Sequence, residues 1–416
     1  MSKITNLSPK DQALVTFLRK PETIRERCHV IFQEVSKGKG LYFSFHEENM
    51  SALTDYVLDE INLNYPDFNI PYHSRFRHFE AGGINRVREL RKLLPSTISK
   101  KDWGQVLFEW VVVSVLTDAG AGAAWSFREE SKVYQRSEGL AVASYQMFRS
   151  GAFSAHSDDP FRVDGSCLRA MTPEILAKGF HVSDENPLEG LDGRSKILKG
   201  LGEVLRSSDL NFTETSDRLG DLWSELWGFV SDGSIDASKI LQVILERLSS
   251  IWPDGRLISG FNIGDVGCHP ALNQLETAPG LVPFHKLSQW LSYSLLEVFE
   301  EASVTVTGIN ALTGLPEYRN GGLLIDLGVL EALDPSVFLE PLRPESEPVT
   351  EWRALTLAIL DVLGESVRKK LGRTGDDMPL AKVLQGGTWS AGRRIAKEKR
   401  AGGLPPFRLV STGTIF

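Results

Sequence analysis

The stretch Trp103-Gly104-Gln105-Val106-Leu107-Phe108-Glu109-Trp110-Val111-Val112-Val113-Ser114-Val115-Leu116-Thr117 is apolar on nearly every side. A surface helix carries its apolar residues as one stripe, so a helix that is hydrophobic all round belongs at the centre of a protein, covered by others. The longest apolar run, 111–116 with Ser114 within it, is far too short to cross a bilayer. The stretch therefore reads as a buried central helix, and the rest of the chain must supply the elements that wrap it.

Those elements are helical. Helical spacing of apolar residues recurs over 24–35, 50–62, 137–149, 172–178, 195–206, 216–229, 237–251, 284–302, 317–327, 351–371 and 380–397. Only 257–261, 304–307 and 407–413 look strand-like, and 42–45 reads as a short strand or an extended lead-in. The expectation is a mainly α fold with a few short strands. Neither a fixed-period repeat nor a low-complexity tract interrupts it. The Pro- and Glu-rich segment 340–348 is the best candidate for an exposed connector, but it does not divide two folds. One large helical unit over 1–416 is expected, with two lobes of about 1–180 and 181–416 as the variant.

Composition narrows the function. Of 416 residues, 42% are hydrophobic and 24% charged, close to the average for soluble globular proteins. A net charge of -8 and a pI of about 5.6 argue against a nucleic-acid partner, which would ask for a basic face. Cys28, Cys167 and Cys268 are scattered, odd in number and lack CxxC spacing, so neither a disulfide framework nor a zinc knuckle is indicated. The opening, 1–9, has no apolar core of a secretory signal. The expected setting is the cytoplasm, with a small-molecule partner and no membrane; the oligomeric state is left open.

Several clusters invite chemistry. Gly120-Ala121-Gly122-Ala123-Ala124-Trp125 mimics a dinucleotide loop but has Trp125 at the third glycine position and no βαβ alternation after it. It reads equally well as a glycine turn ending a helix, or as a device by which Trp125 and Phe127 present flat faces to a ring. His73, Arg75, Arg77 and His78 lie on a proline-bounded loop and either hold an anion or form a solvated basic loop. A metal site from His73, His78 and His46 lacks ligand spacing, so no metal and no cofactor is expected. Asp265 reads first as an Asx turn and second as a substrate contact, and Cys268 beside His269 is poorly placed as a thiol-base pair.

Lys286 and Glu317 are informative as a pair. A cation at a helix N-terminus works against the helix dipole, so local helix physics would not choose Lys286 where it stands. Lys286, Trp290, Tyr293 and Glu297 share a second face of that helix, beside the apolar face. Against a functional reading stands an ordinary snorkelling lysine. Glu317, after Pro316, opens the next helix, where the dipole welcomes an anion. If the chain turns back so that the two starts meet, they suit cleavage of an N-glycosidic bond. Positive charge develops on the sugar and negative charge on the departing nitrogen, and a carboxylate and a cation stabilise the two halves. Arg319, two residues on, is either a surface arginine or a clamp for a 5'-phosphate.

The blocks Ile70-Pro71-Tyr72-His73-Ser74-Arg75-Phe76-Arg77-His78-Phe79, 282–294, Leu312-Thr313-Gly314-Leu315-Pro316-Glu317-Tyr318-Arg319-Asn320-Gly321-Gly322 and Ser411-Thr412-Gly413-Thr414-Ile415-Phe416 resemble an uncharacterised-domain family associated with uracil catabolism. More weakly, Phe284-His285-Lys286-Leu287-Ser288-Gln289 with Pro316-Glu317-Tyr318-Arg319 is similar to the Phe-Tyr-Lys-Arg-Ala-Gln and Ala-Asp-Tyr-Arg blocks of queuosine nucleotide glycosidases. That likeness implies a DNA-glycosylase-like helical core and puts Lys286 and Glu317 on the functional lysine and aspartate. Glu replaces Asp here, and His285 replaces Tyr.

The resulting expectation is hydrolysis of an N-ribosidic bond in a uracil-derived nucleoside or nucleotide, with ribosylurea or its 5'-phosphate as substrate. Glu317 and Lys286 would be catalytic; His73, Arg75, Arg77, Trp125, Phe127, Asp265, His285, Gln289, Trp290, Tyr318 and Arg319 would bind substrate. The alternatives are a metal-dependent hydrolase opening a ureide or pyrimidine C–N bond, and a non-catalytic metabolite-binding protein of the pathway.

Overall fold

The computed structural model describes residues 4–122, 124–206 and 217–410. The central helix is there, as Lys100–Leu116, and every residue from Val106 to Thr117 is buried. Ser99 starts it: the hydroxyl accepts the Asp102 N–H at 3.1 Å, and Asp102 adds the negative charge that a first turn favours. Ser99→Ala should therefore cost about 1 kcal/mol, read as a lower urea midpoint at unchanged slope. An unchanged midpoint would show that packing alone fixes this helix start.

Four helices wrap this axis: Lys286–Glu301, Arg136–Arg149, Gly220–Trp227 and Leu191–Leu205. Trp110 fills the middle, stacked on Phe79 at 3.8 Å and tilted against Tyr145 at 5.1 Å. One charge interrupts the apolar surface. Glu109 is fully buried, and its carboxylate accepts from Arg218 at 2.7 and 3.0 Å and from the Gly220 N–H at 2.7 Å. A buried carboxylate needs partners of this kind.

A second group of helices is built on Glu347–Leu371, which packs against Pro21–Glu34 and Met50–Asn64. The short helix Tyr318–Asp326 is held between Glu347–Leu371 and Trp389–Lys399. Glycines make that clamp possible: a Cβ at Gly321 would strike the Trp352 ring, and one at Gly392 would strike the Arg319 carbonyl. The core is continuous from Ile24 to Phe407, with a smaller cluster around Val15, Leu18 and Ile263.

Among the described residues the strands form two-stranded ladders only, so the fold is mainly α. Ser126–Glu129 and Lys132–Gln135 make a hairpin, and Phe43–Phe45 pairs antiparallel with Leu330–Ala332. Ser234–Asp236 runs parallel to Thr305–Thr307. The ladder Val266–Cys268 with Leu281–Pro283 ends at Val266 opposite Pro283, which brings Asp265 beside the residues that open the Lys286–Glu301 helix.

Some expectations shift. The helix read over 380–397 is broken into Leu380–Val383, a wide turn at Leu384–Thr388 and Trp389–Lys399. Glu347 and Pro348, assigned to a connector, already belong to the first turn of the long helix. Within the 407–413 strand candidate, Leu409 forms a single bridge to Leu342, and 411–416 lies outside the described residues. No described helix is long and apolar enough to cross a membrane, and the three cysteines are free.

Candidate functional site

The segment from Phe284 to His285 is bent by backbone hydrogen bonds. The N–H groups of both residues donate to the Asp265 carbonyl, at 3.0 and 3.2 Å. His285 then adopts φ +45°, a left-handed conformation unusual for a residue with a Cβ. Its ring N–H at Nε2 donates to the Leu18 carbonyl at 3.0 Å, and burial holds the ring neutral with a pKa near 4. His285, expected at the substrate, thus serves the turn that aims Lys286. The Asp265 carboxylate accepts the Lys286 backbone N–H at 3.1 Å and takes a bidentate grip from Arg353 at 2.8 and 2.6 Å. It is neither an Asx turn on its own loop nor an open substrate contact; it caps a helix whose N-cap side chain does not.

Lys286 is buried, 9% exposed. Burial pushes its ammonium down to about 8, and Glu317 is foremost among the neighbours that pull it back up. The two helix starts are therefore within electrostatic reach of each other. The helix that carries Lys286 also grips the segment leading to Glu317: Tyr293 donates its hydroxyl to the Thr313 carbonyl at 2.7 Å, and Gln289 Oε1 accepts the Thr313 N–H at 3.4 Å. Gln289 is fully buried in this positioning role, and among the described residues its Nε2 has no hydrogen-bond partner.

Glu317 is the N-cap of Tyr318–Asp326, one position before the helix, rather than its first residue. Its two oxygens accept the N–H groups of Asn320 at 2.7 Å and Arg319 at 2.8 Å. Those bonds fix the carboxylate while leaving each oxygen further lone pairs. Burial raises its pKa above the usual carboxylate range, and the two backbone N–H groups and Lys286 oppose that rise.

Directly beyond Glu317, Tyr318 and Arg319 line a cavity of about 600 Å³. Its other walls are the end of the Lys132–Gln135 strand with Arg136, Ser137 and Glu138, the helix residues Trp389, Arg393 and Lys397, and His78. Trp290, one turn along from Lys286, lies 4.8 Å from the His73 ring and 6.0 Å from that of His78. Arg75 Nη1 donates to His78 Nδ1 at 3.1 Å, and because arginine only donates, the His78 proton must sit on Nε2. Burial and the neighbouring arginines keep His78 neutral, so at the cavity wall it offers one N–H.

The remaining expected residues fall elsewhere. Arg75 is fully buried and paired with Asp118 at 2.7 Å, and its other donors go to Ser114, the Ser137 carbonyl and His78. It ties the loop to the central helix and has no fork left for a phosphate. Arg77 bridges Glu80 and Glu297, and His73 Nδ1 meets Gln385 Oε1 at 3.0 Å. Trp125 is core, its indole N–H on the Phe180 carbonyl. Phe127 stacks on His181 at 4.4 Å beside a second cavity of about 670 Å³. That cavity flanks the far end of Arg136–Arg149, a 14-residue helix about 20 Å long whose first turn lines the Tyr318 cavity. Arg136, Arg393 and Lys397 were not singled out by the sequence, where they look like any other surface cations. Among the described residues, no group of three or more His, Cys, Asp or Glu could hold a metal ion.

Residues 17–416 match the family model described as "Protein of unknown function (DUF1688)". The chain belongs to that family. It is 36% identical over 403 residues to "Protein urg3" of Schizosaccharomyces pombe, covering 95% of this chain and 97% of that one. It is 35% identical over 440 residues to "Uracil catabolism protein 4" of Lachancea kluyveri, covering 97% and 99%. At those coverages both alignments span the Lys286 and Glu317 helices.

Proposed function

We propose that this DUF1688 protein acts in uracil catabolism by hydrolysing the N-ribosidic bond of a uracil-derived ribosyl compound, ribosylurea or its 5'-phosphate. The observation that carries the reading is the buried Lys286 within electrostatic reach of the Glu317 carboxylate, where Tyr318 and Arg319 open onto a cavity. The pathway is supported by the printed name of the Lachancea kluyveri relative, aligned over nearly the full length of both chains.

In this mechanism Glu317, held by two backbone N–H groups, faces the anomeric carbon as the C–N bond lengthens. It stabilises the oxocarbenium-like centre and orients a water for attack from the opposite side. Lys286, as an ammonium, stabilises the negative charge gathering on the departing nitrogen and can protonate it. The water oxygen ends on the sugar and its proton passes to Glu317, so the products are a ribose species and urea. Trp290, one turn along from Lys286, and the neutral His73 and His78 rings beside it add no competing charge there.

The protein should release urea and reducing sugar in equal amounts from ribosylurea or its 5'-phosphate. Urea without reducing sugar would mean that a ureide C–N bond is opened instead. No release from ribosylurea, its 5'-phosphate, uridine or uridine monophosphate would overturn the proposal.

A further inference from the structure

We infer that the cavity beside Glu317 holds the phosphate monoester of a ribosyl substrate, with Arg136, Arg393 and Lys397 as its anion-binding set and Arg319 between them and Glu317. This rests on the proposed reading of Glu317 and Lys286 and selects the 5'-phosphate form over the free nucleoside.

Four cations from three elements line the cavity, and the acid among its lining residues is the exposed Glu138. Among the described residues, none of Arg136, Arg319, Arg393 and Lys397 forms an ion pair, and Arg393 Nε is buried without a hydrogen-bond partner. The neighbouring Arg394 shows what the same helix does with a cation that has a structural job: it pairs with Glu60 at 2.8 Å and Glu398 at 3.5 Å. Arg393 and Lys397, four apart on that helix, repel each other and weaken it unless an anion joins them.

Arg136 repeats the oddity of Lys286. It stands at the start of Arg136–Arg149, where a cation opposes the helix dipole, and takes φ +54°, strained for a residue with a Cβ. Gln135 offers that helix no side-chain cap. An anion seated at the first turn would be favoured by the N–H groups and the dipole and would turn Arg136 from a liability into a partner. Arg319 gives one N–H to the Gly403 carbonyl at 3.1 Å and keeps other donors of its fork. A cavity of about 600 Å³ suits a ligand of ribose phosphate size.

Calorimetric titration of the full chain with ribose 5-phosphate, ribose and inorganic phosphate tests this without any turnover. Ribose 5-phosphate should bind at least about tenfold more tightly than ribose and than inorganic phosphate, and more weakly as salt rises. Arg136→Gln and Lys397→Gln should each weaken it about tenfold, whereas Lys399→Gln, an exposed cation off the cavity, should not. Both substituted side chains are exposed, so thermal melting should be nearly unchanged. Equal binding of ribose and its phosphate, or unaltered binding by both variants, would overturn the inference. Binding of ribose 5-phosphate with no N-ribosyl compound hydrolysed would keep this site and remove the glycosidase. Hydrolysis of ribosylurea as fast as its 5'-phosphate would do the reverse.

Discussion

Glu317→Gln should lower kcat by about a thousandfold, a barrier increase of about 4 kcal/mol, while the protein still folds. The amide has nearly the same shape but carries no charge to stabilise an oxocarbenium-like centre and no basic oxygen to take a proton from water. Structurally it gives up little. One amide oxygen still accepts either the Asn320 or the Arg319 N–H, and only the other cap bond is lost, at about 1 kcal/mol. Near-unchanged melting with near-absent turnover is therefore the expected signature. If the variant kept more than about a tenth of the wild-type kcat, Glu317 would be a helix cap and nothing more.

The same pair predicts a bell-shaped pH profile. Glu317 works as a carboxylate, so activity should rise with pH as it ionises, above the usual carboxylate range because burial raises its pKa. Lys286 works as an ammonium, and burial has brought it down to about 8, so activity should fall again as pH passes through about 8. Lys286→Arg would hold its charge to far higher pH, and whatever activity it retains should lose the alkaline fall. A wild-type profile flat from pH 7 to 10 would remove Lys286 from the chemistry.

Why the sequence reached some of this and not the rest is a matter of range. The Lys100–Leu116 helix is legible because an all-round apolar segment can be satisfied only by burial, whatever surrounds it. Lys286 and Glu317 are legible because a charge at a helix start is judged against the dipole of its own helix, a local quantity. Arg75 and Arg136 are not separable in that way. What makes Arg75 structural is Asp118 and Ser114, about forty residues away, and what puts Arg136 on a cavity is a hairpin of two four-residue strands whose mixed polar composition carries no clear alternation. Asp265 was read as a local turn for the same reason: its partner Arg353 is 88 positions away.

That distant pair carries the largest expected stability effect. Asp265→Ala should destabilise the fold by about 3–5 kcal/mol, because Arg353, 2% exposed, would keep a buried charge without its bidentate acceptor. The loss should grow as pH rises rather than as it falls. Arg353 holds the Asp265 carboxyl below the usual range, so the stability this group supplies is present above its unfolded-state pKa and disappears, in the wild type, as pH drops through the lowered folded value. Wild type and variant should therefore converge in acid and separate towards neutrality in urea titrations. The double variant Asp265→Leu with Arg353→Met removes both charges together and should recover most of the stability, since replacing a buried ion pair by apolar groups is often neutral. It should not recover turnover, because the Lys286 N–H loses its acceptor and the helix start that aims the lysine is no longer held. A double variant that restored both would show that the pair is scaffold alone.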